Sequence, residues 1–130
     1  MKREQKDYLK NWLIRANEDI AVINNLFNSD PSFYASSICY HAQQAVEKFL
    51  KAFLVFHSVD FKKTHDVDFL LAECKEIEPN GFDIDLGSLA DFSISLRYPD
   101  DFYVPDKKET IKYRDIAIEV KKIMERKINL

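Results

Sequence analysis

Apolar residues recur at steps of three and four along most of the chain, the period of a helix that buries one face. Leu9, Trp12, Leu13, Ala16, Ile20, Ile23 and Phe27 form the first such stripe, with Lys10, Arg15, Asn17 and Glu18 mostly off it. The pattern predicts a helix from about Asp7 to Asn28, about 33 Å long at ~1.5 Å per residue. Asn28-Ser29-Asp30-Pro31 breaks it. Asp30 or Ser32 can cap the next helix, and Pro31 suits a first helical turn.

The second helix is expected to run to about His57, with Tyr34, Ile38, Ala42, Ala45, Phe49, Ala52, Phe53 and Phe56 on its buried side. Alanines at 42, 45 and 52 would let a neighbouring helix approach closely. A polar connection, Ser58 to Thr64, precedes a shorter helix through Val67, Leu70, Leu71, Cys74 and Ile77, with Thr64 or Asp66 as its cap. Pro79-Asn80-Gly81 stops it. A fourth helix is expected from about Asp85 to Leu96. Asp106 followed by Glu109 resembles a capping box for a last helix carrying Ile111, Tyr113, Ile116, Ala117, Val120, Ile123 and Met124. The predicted fold class is all-α: an up-and-down antiparallel bundle of about five helices.

Composition sharpens this picture. Only two glycines occur, Gly81 and Gly87, and tight sheet turns usually need more. The chain of 130 residues is 46% apolar and 32% charged, which suits one globular domain spanning 1–130 and excludes a disordered one. A formal net charge of −3 gives no global signal for nucleic acid, although a local basic patch remains open. Cys39 and Cys74 fall within apolar helical patterns and read as buried free thiols. No basic-then-apolar leader opens the chain, and no apolar run approaches the ~20 residues that span a bilayer, so a cytoplasmic protein is expected.

Three polar clusters carry candidate chemistry. His41, Gln44, Lys48 and Lys51 fall on one side of the second helix. Glu47 stands four before Lys51, a spacing that supports an exposed helix. This strip is either a solvated face or the lining of a groove or interface. Arg97-Tyr98-Pro99-Asp100-Asp101-Phe102-Tyr103 offers a guanidinium fork for phosphate or carboxylate and aromatics for stacking; alternatively Arg97 pairs locally with an aspartate. Thr64-His65-Asp66 reads as a helix start, or as a His–Asp pair. Metal chemistry has no support in the spacing of His41, His57 and His65, no phosphate loop or nucleophile elbow is present, and no cofactor is expected.

Taken together, Trp12 and Ala16, then Tyr34-Ala35 with Ile38 through Ala52, then Thr64-His65-Asp66-Val67, then Arg97-Tyr98-Pro99-Asp100 resemble the HEPN family (higher eukaryotes and prokaryotes nucleotide-binding). The resemblance covers about Asp7 to Lys127. It implies a helical bundle that commonly dimerises, similar to the helical domain of kanamycin nucleotidyltransferase. Prokaryotic members are often paired with a minimal nucleotidyltransferase, in many cases as toxin and antitoxin. Other members are metal-independent ribonucleases in which a histidine follows an arginine after four to six residues. Counting from Arg97, those positions hold Phe102, Tyr103 and Val104. The position of a tyrosine that some members carry as an adenylate acceptor corresponds to Val104.

The resemblance therefore implies a non-catalytic module that binds nucleotide or substrate and a nucleotidyltransferase partner. Arg97, Tyr98, Asp100 and Tyr103 together with His41, Gln44 and Lys48 are the expected surface, and no catalytic or metal residue is assigned. The alternatives are a ribonuclease acting on RNA with a displaced base, and a purely structural dimer. Ten phenylalanines and six tyrosines, with Phe53, Phe56, Phe61, Phe82 and Phe102 near helix ends or loops, add a physical reason to expect a homodimer.

Overall fold

The computed structural model describes residues 1–93 and 103–129. Among them are four α-helices, α1 (Arg3–Ser29), α2 (Ala35–Phe56), α3 (Val67–Ile77) and α4 (Lys107–Lys127), and one short 3-10 helix, Leu89–Phe92. No strand occurs among the described residues.

Helix α2 is the axis of the fold. It packs against α1, α3 and α4, whereas α1 and α4 touch each other only slightly. Its alanines supply the close approach: Ala42, Ala45 and Ala52 are fully buried beside Ile38, Phe49, Leu50 and Phe53. The first two helices run antiparallel. Gln5, in the first turns of α1, donates through Nε2 to the Val55 carbonyl at 2.9 Å near the end of α2. Asp19, two-thirds of the way along α1, meets His41 and Lys48. The α1 stripe buries Leu9, Ala16, Ile20 and Ile23, and α4 buries Thr110, Tyr113, Ala117, Val120, Ile123 and Met124.

Two predicted caps form. The Asp66 carboxylate accepts from the amides of Asp68 and Phe69 at 3.0 and 3.2 Å. Asp106 and Glu109 make a reciprocal capping box at the start of α4. Replacing Asp66 with alanine leaves those amides without their acceptor. It is expected to cost about 1 kcal/mol, seen as a fall of about 4 °C in the thermal midpoint; an unchanged midpoint would show that α3 does not depend on the cap.

Other boundaries differ from the sequence reading. Residues 31–34 form a turn rather than the first helical turn, because the Asp30 carboxylate accepts from the amides of Ser32 and Phe33 at 3.2 and 3.0 Å. The helix expected over Asp85 to Leu96 shrinks to the 3-10 turn at Leu89–Phe92, and residues 94–96 lie outside the described region. Asp85 accepts from the Gly87 amide at 2.8 Å, and Gly87 takes φ +57°, a left-handed turn that stops a helix at that point. Leu86 and Leu89 still reach the core.

The aromatic residues also sit differently. Phe53 and Phe82, expected to be hard to bury within one chain, are 0% and 5% exposed. Their rings meet edge-to-face at 5.0 Å. The segment after α3 folds back over the end of α2, so these two rings give no argument for a partner surface.

Candidate functional site: two carboxylate centres on α2

The polar residues of α2 do not form a solvated strip. They divide between two carboxylates, one contributed by α1 and one by α2 itself. Asp19 is buried on the apolar side of α1, between Ala16 and Ile23. Its Oδ2 accepts from Lys48 Nζ at 2.6 Å and its Oδ1 from His41 Nδ1 at 2.8 Å. A carboxylate can only accept, so this bond places a proton on Nδ1 and turns Nε2 outward from the pair. Burial pushes the Asp19 carboxyl up, but hydrogen bonds from His41 and Lys48, with their charges, outweigh it and hold the group below the usual carboxylate range. His41 and Lys48 are each about a quarter exposed, so the centre opens to solvent on their side.

The second centre is Glu47, whose side chain is 4% exposed. Lys51 Nζ donates to Oε2 at 3.0 Å, and His65 Nδ1 and Gln43 Nε2 donate to Oε1 at 3.0 and 3.4 Å. Gln43 Nε2 also donates to the His65 carbonyl at 2.8 Å, and Gln44 Nε2 donates to Gln43 Oε1 at 2.9 Å. The Glu47–Lys51 pair is thus interior, not the exposed helical pair its spacing suggested. Glu47 and Gln43, through His65, tie the connection between α2 and α3 onto α2. His65 does not form a pair with Asp66: Asp66 caps α3, while the imidazole reaches Glu47.

Of the residues singled out in the sequence, His41 and Lys48 come together at Asp19, and Gln44 joins the Glu47 network through Gln43. Arg97, Tyr98 and Asp100 lie outside the described residues. Tyr103 is half exposed, and its hydroxyl donates to Glu109 Oε1 at 2.5 Å. That bond, with smaller contributions from burial and from the charge of Glu109, pushes the phenol up to about 12. Sequence reasoning missed Asp19, although an acid inside an apolar helical stripe is itself the signature of a buried, partnered carboxylate.

Cys39 and Cys74 are buried free thiols, and burial pushes each up to about 12, which leaves them unreactive near neutral pH. Among the described residues, no three His, Cys, Asp or Glu side chains converge on a position that could hold a metal ion. No helix there is long and apolar enough to cross a membrane.

The family model described as HEPN domain matches residues 9–127. No curated protein and no solved structure matches the chain.

Proposed function

The chain belongs to the HEPN domain family, and from that membership we propose that it is a non-catalytic module that binds nucleotide and a separately encoded minimal nucleotidyltransferase, as one half of a toxin–antitoxin-type pair and as a homodimer. The observation that carries the non-catalytic reading is Tyr103. It is the only residue with a titratable side chain at the three positions where the ribonuclease members place histidine. Its phenol is committed as a donor to Glu109 and raised to about 12. A group in that state neither takes nor releases a proton near neutral pH, as attack by a 2′-hydroxyl requires.

The binding surface is supported by the Asp19 centre. His41 and Lys48 are pre-oriented by one carboxylate. Among the described residues, two of the three Lys48 ammonium hydrogens meet no protein acceptor, and phosphate oxygens are the acceptors they suit; His41 Nε2, turned outward, can accept from a ligand hydroxyl. Arg97 is proposed to complete this surface with its guanidinium fork, and Tyr98 and Asp100 to flank it.

A second reading, a metal-independent endoribonuclease, is favoured by one feature: Asp19 holds His41 in the tautomer whose Nε2 can accept a proton. One experiment addresses both. Purified chain is titrated with labelled ATP and, separately, incubated with total RNA in EDTA. Expected are saturable ATP binding, weakened about tenfold in Lys48→Met through loss of one charge-assisted contact, and intact RNA. RNA cleavage that vanishes in His41→Ala would replace the proposal with the second reading. Absence of binding both to ATP and to the nucleotidyltransferase encoded beside this chain would remove it. Sedimentation at rising concentration checks the homodimer; a strict monomer would exclude it.

A further inference from the structure

A cavity of about 490 Å³ opens between the first turns of α1, the end of α2 and the connection that follows it. It lies beyond the Asp19 centre along the same α1–α2 seam. Its walls include Tyr8, Trp12 and Phe61, with Lys51 on the α2 side and Lys63 and Asp60 in the connection. The three rings make a continuous aromatic lining: Tyr8 meets Trp12 edge-to-face at 6.0 Å, and Trp12 meets Phe61 at 6.2 Å.

The polar inventory of this wall is lopsided. Trp12 Nε1 is shielded from solvent and donates to nothing among the described residues. The Lys51 ammonium lies 5.2 Å from the Trp12 ring centre and 5.8 Å from that of Phe61. It has three hydrogens and one protein acceptor, Glu47. Gln5 donates through Nε2 to the Val55 carbonyl and to Ser58 Oγ, and its Oε1 receives no hydrogen bond from Trp12 Nε1. One buried donor without an acceptor, Trp12 Nε1, and one with a single acceptor for three hydrogens, Lys51, therefore belong to the residues of this wall. Buried donors without acceptors cost free energy, and the occupant that relieves the cost carries acceptors. The space exceeds by an order of magnitude the ~30 Å³ share of one water and matches a small organic ligand.

We infer that this cleft binds a small aromatic acid, its ring among Tyr8, Trp12 and Phe61 and its acid group turned to Lys51. The acid is a carboxylate or a phosphate ester, since both offer acceptors to the two Lys51 hydrogens that Glu47 does not take. Asp60 and Lys63, both exposed among the lining residues, contribute one charge of each sign. This site is separate from the one proposed for His41 and Lys48, and it stands or falls independently of that reading.

Trp12 is the only tryptophan, so its indole N–H resonance reports on the cleft without ambiguity. The full chain is titrated with phenylacetate, with AMP, and with acetate and inorganic phosphate as ring-free controls, while a two-dimensional NMR spectrum is recorded. The expected result is a saturable shift of the indole signal with phenylacetate or AMP and none with the controls. The arm that responds identifies the acid as carboxylate or phosphate ester. Phe61→Ala is expected to weaken binding at least tenfold, and Glu119→Gln, an exposed position on α4, to leave it unchanged. Lys51→Met would strand Glu47, so the double variant Glu47→Gln, Lys51→Met removes both charges together and is expected to lose the response while keeping the folded spectrum. No saturable shift with either aromatic acid, an equal shift with the ring-free controls, or undiminished binding in both variants would overturn the inference.

Discussion

Glu47→Ala is expected to destabilise the fold by about 3–5 kcal/mol, the range for removing one member of a buried ion pair. Three donors converge on this carboxylate, from Lys51, His65 and Gln43. Lys51 cannot turn to water as a surface lysine would, because its side chain is only 7% exposed and sits against Trp12 and Phe61. The ammonium is left buried without a counter-charge, and the connection between α2 and α3 loses its anchor at His65. Urea unfolding checks this, with the midpoint falling at little-changed slope. The double variant Glu47→Leu, Lys51→Met is expected to cost less than Glu47→Ala alone, since removing both charges leaves nothing stranded. A single-variant cost below about 1 kcal/mol would mean that Lys51 finds solvent, and that the interior pair does not exist in solution.

These two groups also show where sequence reasoning stops. The α1 stripe, the Asp66 cap and the Asp106–Glu109 box depend on residues within a few positions of one another, so local periodicity and capping chemistry identify them. The role of α2 does not depend on local pattern alone. Its Glu47 and Lys51 look like an exposed helical pair because charged residues are mostly exposed. They are interior because they satisfy one another and His65, and that satisfaction requires a connection that begins after the helix has ended. The same limit applies to His41. Its place on one side of α2 was readable, but its partner Asp19 lies 22 positions earlier on another helix. The helix expected over Asp85 to Leu96 failed for the opposite reason, a local one: the apolar spacing was sound, but Asp85 and Gly87 favour a turn that the spacing ignores. The aromatic count misled because Phe53 and Phe82 bury each other inside one chain.

Asp19→Ala tests the other centre through acid as well as through stability. The carboxylate is buried while its partners are about a quarter exposed, so His41 and Lys48 can turn partly to water when it is lost. The expected cost near neutral pH is about 2 kcal/mol, below the range for fully buried pairs. The pH dependence has a definite sign. The folded carboxyl is depressed relative to its unfolded value of about 3.9. The unfolded chain therefore takes up the proton first as pH falls, and the stabilisation is complete above the unfolded value. It is lost below about pH 4, as acidification carries the solution through the folded value. The stability difference between the parent chain and Asp19→Ala should be flat above that window and shrink within it, whatever the other carboxylates do, because they titrate in both proteins. Denaturant unfolding at a series of pH values measures that difference. A gap that stays constant into strong acid would mean that Asp19 contributes by packing alone; its contacts with His41 and Lys48 would then carry no stability, and the pre-oriented Lys48 ammonium proposed to receive phosphate would lose its physical basis.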